Sequence, residues 1–256
     1  MPVAAGLYYS AYINEKTNLP PVLLIHGAGG SHLSWPPEIR RLVGYNIYAL
    51  DLPGHGKSEA FGEQTISAYA EHVLTWMEAV NHYRAILVGH SMGGAIALKI
   101  AAEHPTRVGG LGLLGMGTPL QVPADILENL SNAAMFSAAL NRIKALSFAP
   151  ATSPRLVDLV FKRLAEMRTS VLRGDFLACA RFDLANTLPH ITHPTLIIAG
   201  AQDQMIPLRY AQLLSKKIKD AELRVIPEAG HLLMLEKPNE TAEHLRTFLQ
   251  QHEFFV

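Results

Sequence analysis

Short apolar runs alternate with amphipathic stretches along most of this chain, and that alternation restricts the fold more than any other feature. Runs at 22–26 (VLLIH), 46–51 (NIYALD), 85–89 (AILVG), 108–114, 195–200 (TLIIAG) and 222–226 (ELRVI) have the length of buried strands. Between them lie helical patterns. Residues 65–81 place Ile66, Tyr69, Ala70, Val73, Leu74 and Met77 three and four apart, which makes one apolar face. Residues 35–43 and 91–104 (the latter stopped by Pro105), a segment starting near Pro207 and a last one over 238–250 complete the set. Strand and helix in alternation predict an α/β fold with a mostly parallel central sheet and helices on both faces.

One region interrupts the pattern. No strand is predicted between about 118 and 189, whereas helices are predicted over 132–146, from Ser153-Pro154 onward, and over 170–182. Ser153-Pro154 reads as an N-cap followed by proline at the first helical position. Leu156, Leu159, Val160, Leu164 and Met167 form a single stripe behind it. The predicted organisation is therefore a core of residues 1–117 and 189–256 with an all-helical cap insertion over 118–188. Open α/β sheets bind ligands beyond the carboxyl ends of their strands, so a helical insertion leaving from such an end is expected to lie over the site as a lid.

Composition narrows the function classes. With 22 Lys+Arg against 22 Asp+Glu in 256 residues the net charge is zero, which argues against a dedicated nucleic-acid binder. Hydrophobic residues at 49% exclude a disordered chain. Cys179 is the one cysteine, so an intramolecular disulfide and a Cys-rich zinc site are both excluded, and a reducing cytoplasm is the expected compartment. Residues 1–12 lack the basic start and long apolar run of a signal peptide, and 92–102, the most apolar long stretch, is too short to span a bilayer.

The chemistry is concentrated at Gly89-His90-Ser91-Met92-Gly93. It fits G-x-S-x-G with a strand before and a helix after, the context of a nucleophile held on a sharp, strained turn. The helix start beneath Ser91 favours an oxyanion there. A serine nucleophile needs a base and a carboxylate that orients it. Asp203 follows the run 195–200 and His231 follows the run 222–226, so the order is Ser, Asp, His, and both lie beyond carboxyl strand ends as Ser91 does. The expected oxyanion donors are the Met92 N–H and an N–H of the loop 26–30 (HGAGG), with Ala28 chosen and Gly29 the near alternative.

Other histidines fit less well. His26 and His55 precede the nucleophile and suit loop scaffolding, His90 is expected to turn elsewhere on the elbow, and the His190/His193 pair lies in a connector without carboxylate ligands. Gly27-x-Gly29 with Asp51 resembles a dinucleotide fingerprint, but His32 stands at the third glycine. Gly56-Lys57-Ser58 resembles the end of a phosphate-binding loop, but Asp51 stands at its first glycine.

Together, HGAGG (26–30), DLPGHGKS (51–58), GHSMGG (89–94), GAQD (200–203) and EAGHLLMLEKP (228–238) resemble the α/β-hydrolase fold superfamily in order and spacing. The resemblance maps Ser91, Asp203 and His231 onto the triad, Ala28 and Met92 onto the oxyanion hole, and the insertion onto the cap. It also implies that one or two early strands are missing or reduced. Relatives that act on haloalkanes or epoxides carry aspartate where this chain has Ser91. The loop HGAGG is similar to that of single-cap carboxylesterases and lipases, the lipase HGGG form differing at Ala28. The expectation is a serine esterase without cofactor or metal, acting on a small to medium, largely apolar ester. Met135, Phe136, Phe148, Phe161, Met167, Phe176 and Phe182 are candidate acyl contacts, most of them expected to be cap core. The rival readings are another triad reaction (carbon–carbon bond hydrolysis, perhydrolysis, a lyase) and a binding receptor with little turnover.

Overall fold

The computed structural model describes residues 2–59, 61–252 and 254. Eight strands form one sheet: β1 (Val3–Ala4), β2 (Leu7–Tyr12), β3 (Val22–Ile25), β4 (Ile47–Leu50), β5 (Ala85–His90), β6 (Val108–Leu114), β7 (Thr195–Gly200) and β8 (Glu222–Ile226). Their order is β1-β2-β4-β3-β5-β6-β7-β8. The pairings β1/β2 and β2/β4 are antiparallel and the rest parallel. The early strands are thus present, with β1 only two residues long.

The central strands are buried on both faces, and their side chains divide by parity as a pleated strand requires. Leu23, Ile25, Leu87, Leu111, Leu113 and Ile197 enter one core, with α2 (Ile66–Ala79), α3 (Met92–Glu103) and α8 (Leu208–Lys217). Val22, Leu24, Ile86, Val88, Leu196 and Ile198 enter the other, with α1 (Pro37–Arg40) and α10 (Pro238–Gln251). The helix expected over 35–43 shrinks to α1. Pro36 and Pro37 start it late, and Gly44 follows at φ +97°.

The insertion is helical, as expected: α4 (Ala124–Leu130), α5 (Phe136–Ser147), α6 (Pro154–Ala165) and α7 (Thr169–Ala180). Helix α4 was not anticipated. Ser153 does stand at the N-cap of α6, but its side chain makes no capping bond. Seven residues of α7 are buried, including Asp175, whereas α6 buries none fully. A last short helix, α9 (Leu233–Glu236), follows the His231 loop.

Connectivity creates the site. The chain passes from β3 outward to β4, then returns across to β5 on the other side of β3. The crevice between the carboxyl ends of β3 and β5 is a topological switch point. There Ile25 lies in register with Gly89, so the loop 26–30 begins beside the turn that carries Ser91.

Candidate active site

Ser91 links β5 to α3 with φ +51° and ψ −115°, a left-handed backbone that a side-chain-bearing residue rarely adopts. The flanking glycines make the turn sterically feasible. A Cβ on Gly89 would run into the Gly93 peptide, and one on Gly93 into the carbonyl of Ile25. The turn is held by Ser91 N–H donating to Leu114 O at 2.9 Å and by Gly94 N–H donating to Ser91 O at 2.8 Å.

The structure brings Asp203 and His231 together. His231 Nδ1 lies 2.8 Å from Asp203 Oδ2, and both residues are only 6% exposed. The other carboxylate oxygen, Oδ1, accepts Ile206 N–H at 2.8 Å, which fixes its orientation. With Nδ1–H committed to the carboxylate, Nε2 is the nitrogen left to act as a base. His231 and Ser91 line the same cleft. Among the described residues no hydrogen bond joins their side chains, and such bonds commonly tighten only around substrate.

His90 is not turned away as expected. It lines the cleft, its Nε2–H donates to His231 O at 2.9 Å, and the two rings are 4.8 Å apart. The residue before the serine thus ties the elbow to the histidine loop. Burial, and then the neighbouring His231, hold its pKa well below the ordinary imidazole value, so His90 is neutral.

The loop 26–30 shows which donor is available. Gly29 N–H donates to Asp175 Oδ2 at 2.9 Å and Gly30 N–H to Gly27 O at 3.0 Å. Ala28 N–H has no acceptor among the described residues, and Ala28 lines the cleft. Of the two candidates, Ala28 is therefore the one with a hydrogen left to donate. Met92 is fully buried and opens α3, so its N–H has no partner in a preceding turn.

Sequence reasoning missed Asp175, a fully buried carboxylate on cap helix α7. Besides Gly29 N–H, it accepts His55 Nε2–H at 2.8 Å and the Tyr69 hydroxyl at 2.6 Å. His55 Nδ1 lies 2.9 Å from Pro53 O. Burial opposes charge on His55, but the Asp175 carboxylate and the two hydrogen bonds outweigh it and raise its pKa. No local pattern reveals this cluster, because Asp175 meets partners 106 to 146 residues away. Asp51, weighed above as a nucleotide ligand, holds its own loop instead: it accepts His32 N–H, His32 Nδ1–H and Lys57 N–H. His26 has the scaffolding role expected, donating to Gly27 O and accepting Leu52 N–H.

The cleft holds about 120 Å³ of water-accessible space between the strand-end loops and helices α5, α6 and α7. Of the seven candidate acyl contacts, Phe148, Phe161 and Phe176 line it and the other four do not. Among the described residues no cluster of His, Cys, Asp and Glu could hold a metal ion, and no helix is long and apolar enough to cross a membrane.

Comparison with known proteins shows the family. The alpha/beta hydrolase fold model matches residues 20–238, and the chain belongs to that family. It is a hydrolase. It is 34% identical to the dihydrolipoyllysine-residue acetyltransferase component of the acetoin cleaving system of Pseudomonas putida, over 91% of this chain and 64% of that one. The chain thus spans less than two thirds of that relative's length. It is 29% identical to a 2-hydroxy-6-oxononadienedioate/2-hydroxy-6-oxononatrienedioate hydrolase of a Pseudomonas species, over 94% of this chain and 92% of the relative. A solved thermophilic esterase superposes with TM-score 0.81 at 30% identity, covering 96% of this chain and 98% of that one.

Proposed function

We propose that this chain is a hydrolase that cleaves carboxylic esters of small to medium size through an acyl-serine intermediate. Ser91 Oγ attacks the ester carbonyl while its proton passes to His231 Nε2. The oxyanion that forms accepts the N–H groups of Ala28 and Met92. Collapse expels the alcohol, which takes the proton from His231. Water then attacks the acyl-serine, again giving its proton to His231. When the acid leaves, that proton returns to Ser91 Oγ. Asp203 holds the imidazole and stabilises its protonated form. The residues 118–188 act as the cap of this site. We place the reaction in a reducing cytoplasm, in keeping with the single buried Cys179.

The observation that carries the reading is convergence. A strained serine, a histidine braced by a buried carboxylate and an unclaimed loop N–H surround one cleft. Ser91→Ala is expected to abolish turnover of a chromogenic short-chain ester, and a fluorophosphonate is expected to label Ser91 in the native chain. Full turnover by the Ser91→Ala variant defeats the proposal. The likeness to the 2-hydroxy-6-oxo acid hydrolase favours one second reading, carbon–carbon bond hydrolysis by the same groups. A vinylogous diketone consumed much faster than any simple ester would favour it.

A further inference from the structure

We propose that Lys144 and Arg163 form an anion-binding subsite in the cap wall of this cleft, so that the ester cleaved at Ser91 carries a carboxylate remote from its reacting carbonyl. The inference deepens the ester-hydrolase reading and rests on it for the reacting end of the substrate.

The argument starts from the charges lining the cleft. Lys144 on α5 and Arg163 on α6 both line it, and no aspartate or glutamate does. His90 is held neutral by burial. Arg163 makes no ion pair or side-chain hydrogen bond to any described residue. Lys144 has one loose partner: its Nζ is 3.8 Å from Asp158 Oδ1, and that side chain is 77% exposed. The Lys144 ammonium also sits 4.8 Å from the centre of the Phe161 ring, which keeps it against the cleft wall. Two cations without firm partners thus border a largely apolar space that includes Ile143, Phe161 and Leu164. Arg163 is exposed and the Lys144 side chain is 37% exposed, so both charges stand at the rim of the apolar space, where salt screens them. A neutral substrate would leave them unused. A carboxylate can pair with both, forked on the guanidinium and charge to charge on the ammonium. Lys144 is on α5 and Arg163 on α6, and neither belongs to the Ser91 elbow or the loop 26–30 that hold the reacting carbonyl, so the anion belongs on another part of the substrate.

The test compares two chromogenic esters matched in chain length, p-nitrophenyl valerate and mono-p-nitrophenyl glutarate. The native chain is expected to favour the anionic ester by roughly tenfold or more in kcat/KM, mainly through a lower KM. The preference should shrink as salt rises from about 0.05 M to about 0.5 M. In Lys144→Gln/Arg163→Gln the anionic-to-neutral ratio should fall at least tenfold. Lys144→Arg/Arg163→Lys should retain it, and Arg163→Glu should invert it. Equal kcat/KM for both esters in the native chain, or a double variant that loses both alike, overturns the proposal. Failure to hydrolyse either ester would count against the function proposed above, and the subsite is then read by binding alone. Calorimetric titration of Ser91→Ala with monomethyl glutarate should show tighter binding than with methyl valerate, a difference lost in the added Gln pair. No difference between the two ligands would likewise overturn the subsite.

Discussion

Asp175→Asn tests how helix α7 and the loop 26–30 depend on one another. The native carboxylate is fully buried and accepts three donors: Gly29 N–H at 2.9 Å, His55 Nε2–H at 2.8 Å and the Tyr69 hydroxyl at 2.6 Å. Asparagine keeps the shape and one acceptor oxygen but removes the charge that faces His55. Stranding a buried charge costs about 3–5 kcal/mol. His55 can escape that by releasing a proton, leaving the smaller cost of an unmade buried hydrogen bond, about 1–3 kcal/mol. The expected loss of stability is therefore about 2–4 kcal/mol, read as a lower urea midpoint at unchanged slope. Activity should fall as well, because the peptide next to Ala28 is then held by a neutral amide oxygen instead of a carboxylate. Removing one oxyanion donor outright costs about 10²–10³ in kcat. Loosening one is expected to cost about tenfold to a hundredfold in kcat for a chromogenic ester, with little change in KM. His55→Gln/Asp175→Asn removes both charges and should be more stable than the sum of the single losses by about 1 kcal/mol or more. A single variant within about 0.5 kcal/mol of native and with native kcat would refute the reasoning, as would strict additivity.

Other outcomes follow from the same structure. His26 is buried and its pKa is lowered to about 4 by burial and by His55; a base with a depressed folded-state pKa stabilises the fold above its unfolded value of 6.5 and loses that stability as pH falls, so its own contribution, read as the difference in urea midpoint between the native chain and His26→Gln, should shrink by the equivalent of about 3 kcal/mol between neutrality and pH 4, and a difference that does not change with pH would contradict this. His55 works in the opposite sense: its raised value means that its contribution is present below the ordinary imidazole pKa and disappears as pH rises through the raised one, a loss that Asp175→Asn should abolish. Gly89→Ala places a methyl in the Gly93 peptide and should cost about 1–3 kcal/mol in stability and nearly all ester turnover, measured by thermal melting and initial rates; a native-like, active variant would show that the elbow tolerates a side chain.

The strands and the sharp turn at Ser91 could be read from sequence because their signals are local. A run such as 195–200 states its own burial, and Gly89 and Gly93 announce a sharp turn within five residues. What stayed hidden depends on the folded neighbourhood. Asp175 looks like an ordinary acidic residue in a helix until Gly29, His55 and Tyr69 surround it. The His90 bond to the His231 carbonyl spans 141 residues. Strand β2 escaped notice because LYYSAY is only half buried and its alternation is weak. Helix α4 escaped because it is seven residues long and directly follows Pro123.

These long-range bonds change what the helical insertion can do. The end of α5 is fastened to the histidine loop: Ser147 O accepts His231 N–H at 2.9 Å, and Glu236 accepts Ala149 N–H, the Thr152 hydroxyl and Gly230 N–H. Helix α7 is fastened to the loop 26–30 through Asp175. Lifting the whole insertion would break both sets of bonds, each worth about 1 kcal/mol, and expose the apolar face of α7 at about 2 kcal/mol per large side chain. It would also displace His231 and Ala28, the groups the reaction needs. Helix α6 is different. None of its residues is fully buried, and it roofs the cleft through Val160, Phe161 and Leu164. The least costly way in is therefore a pivot of α6 alone, with α5 and α7 staying as fixed walls. Arg163 rides on that movable helix and Lys144 on the fixed one, so an anion bridging them would draw the roof down over the ester at the moment the site is filled.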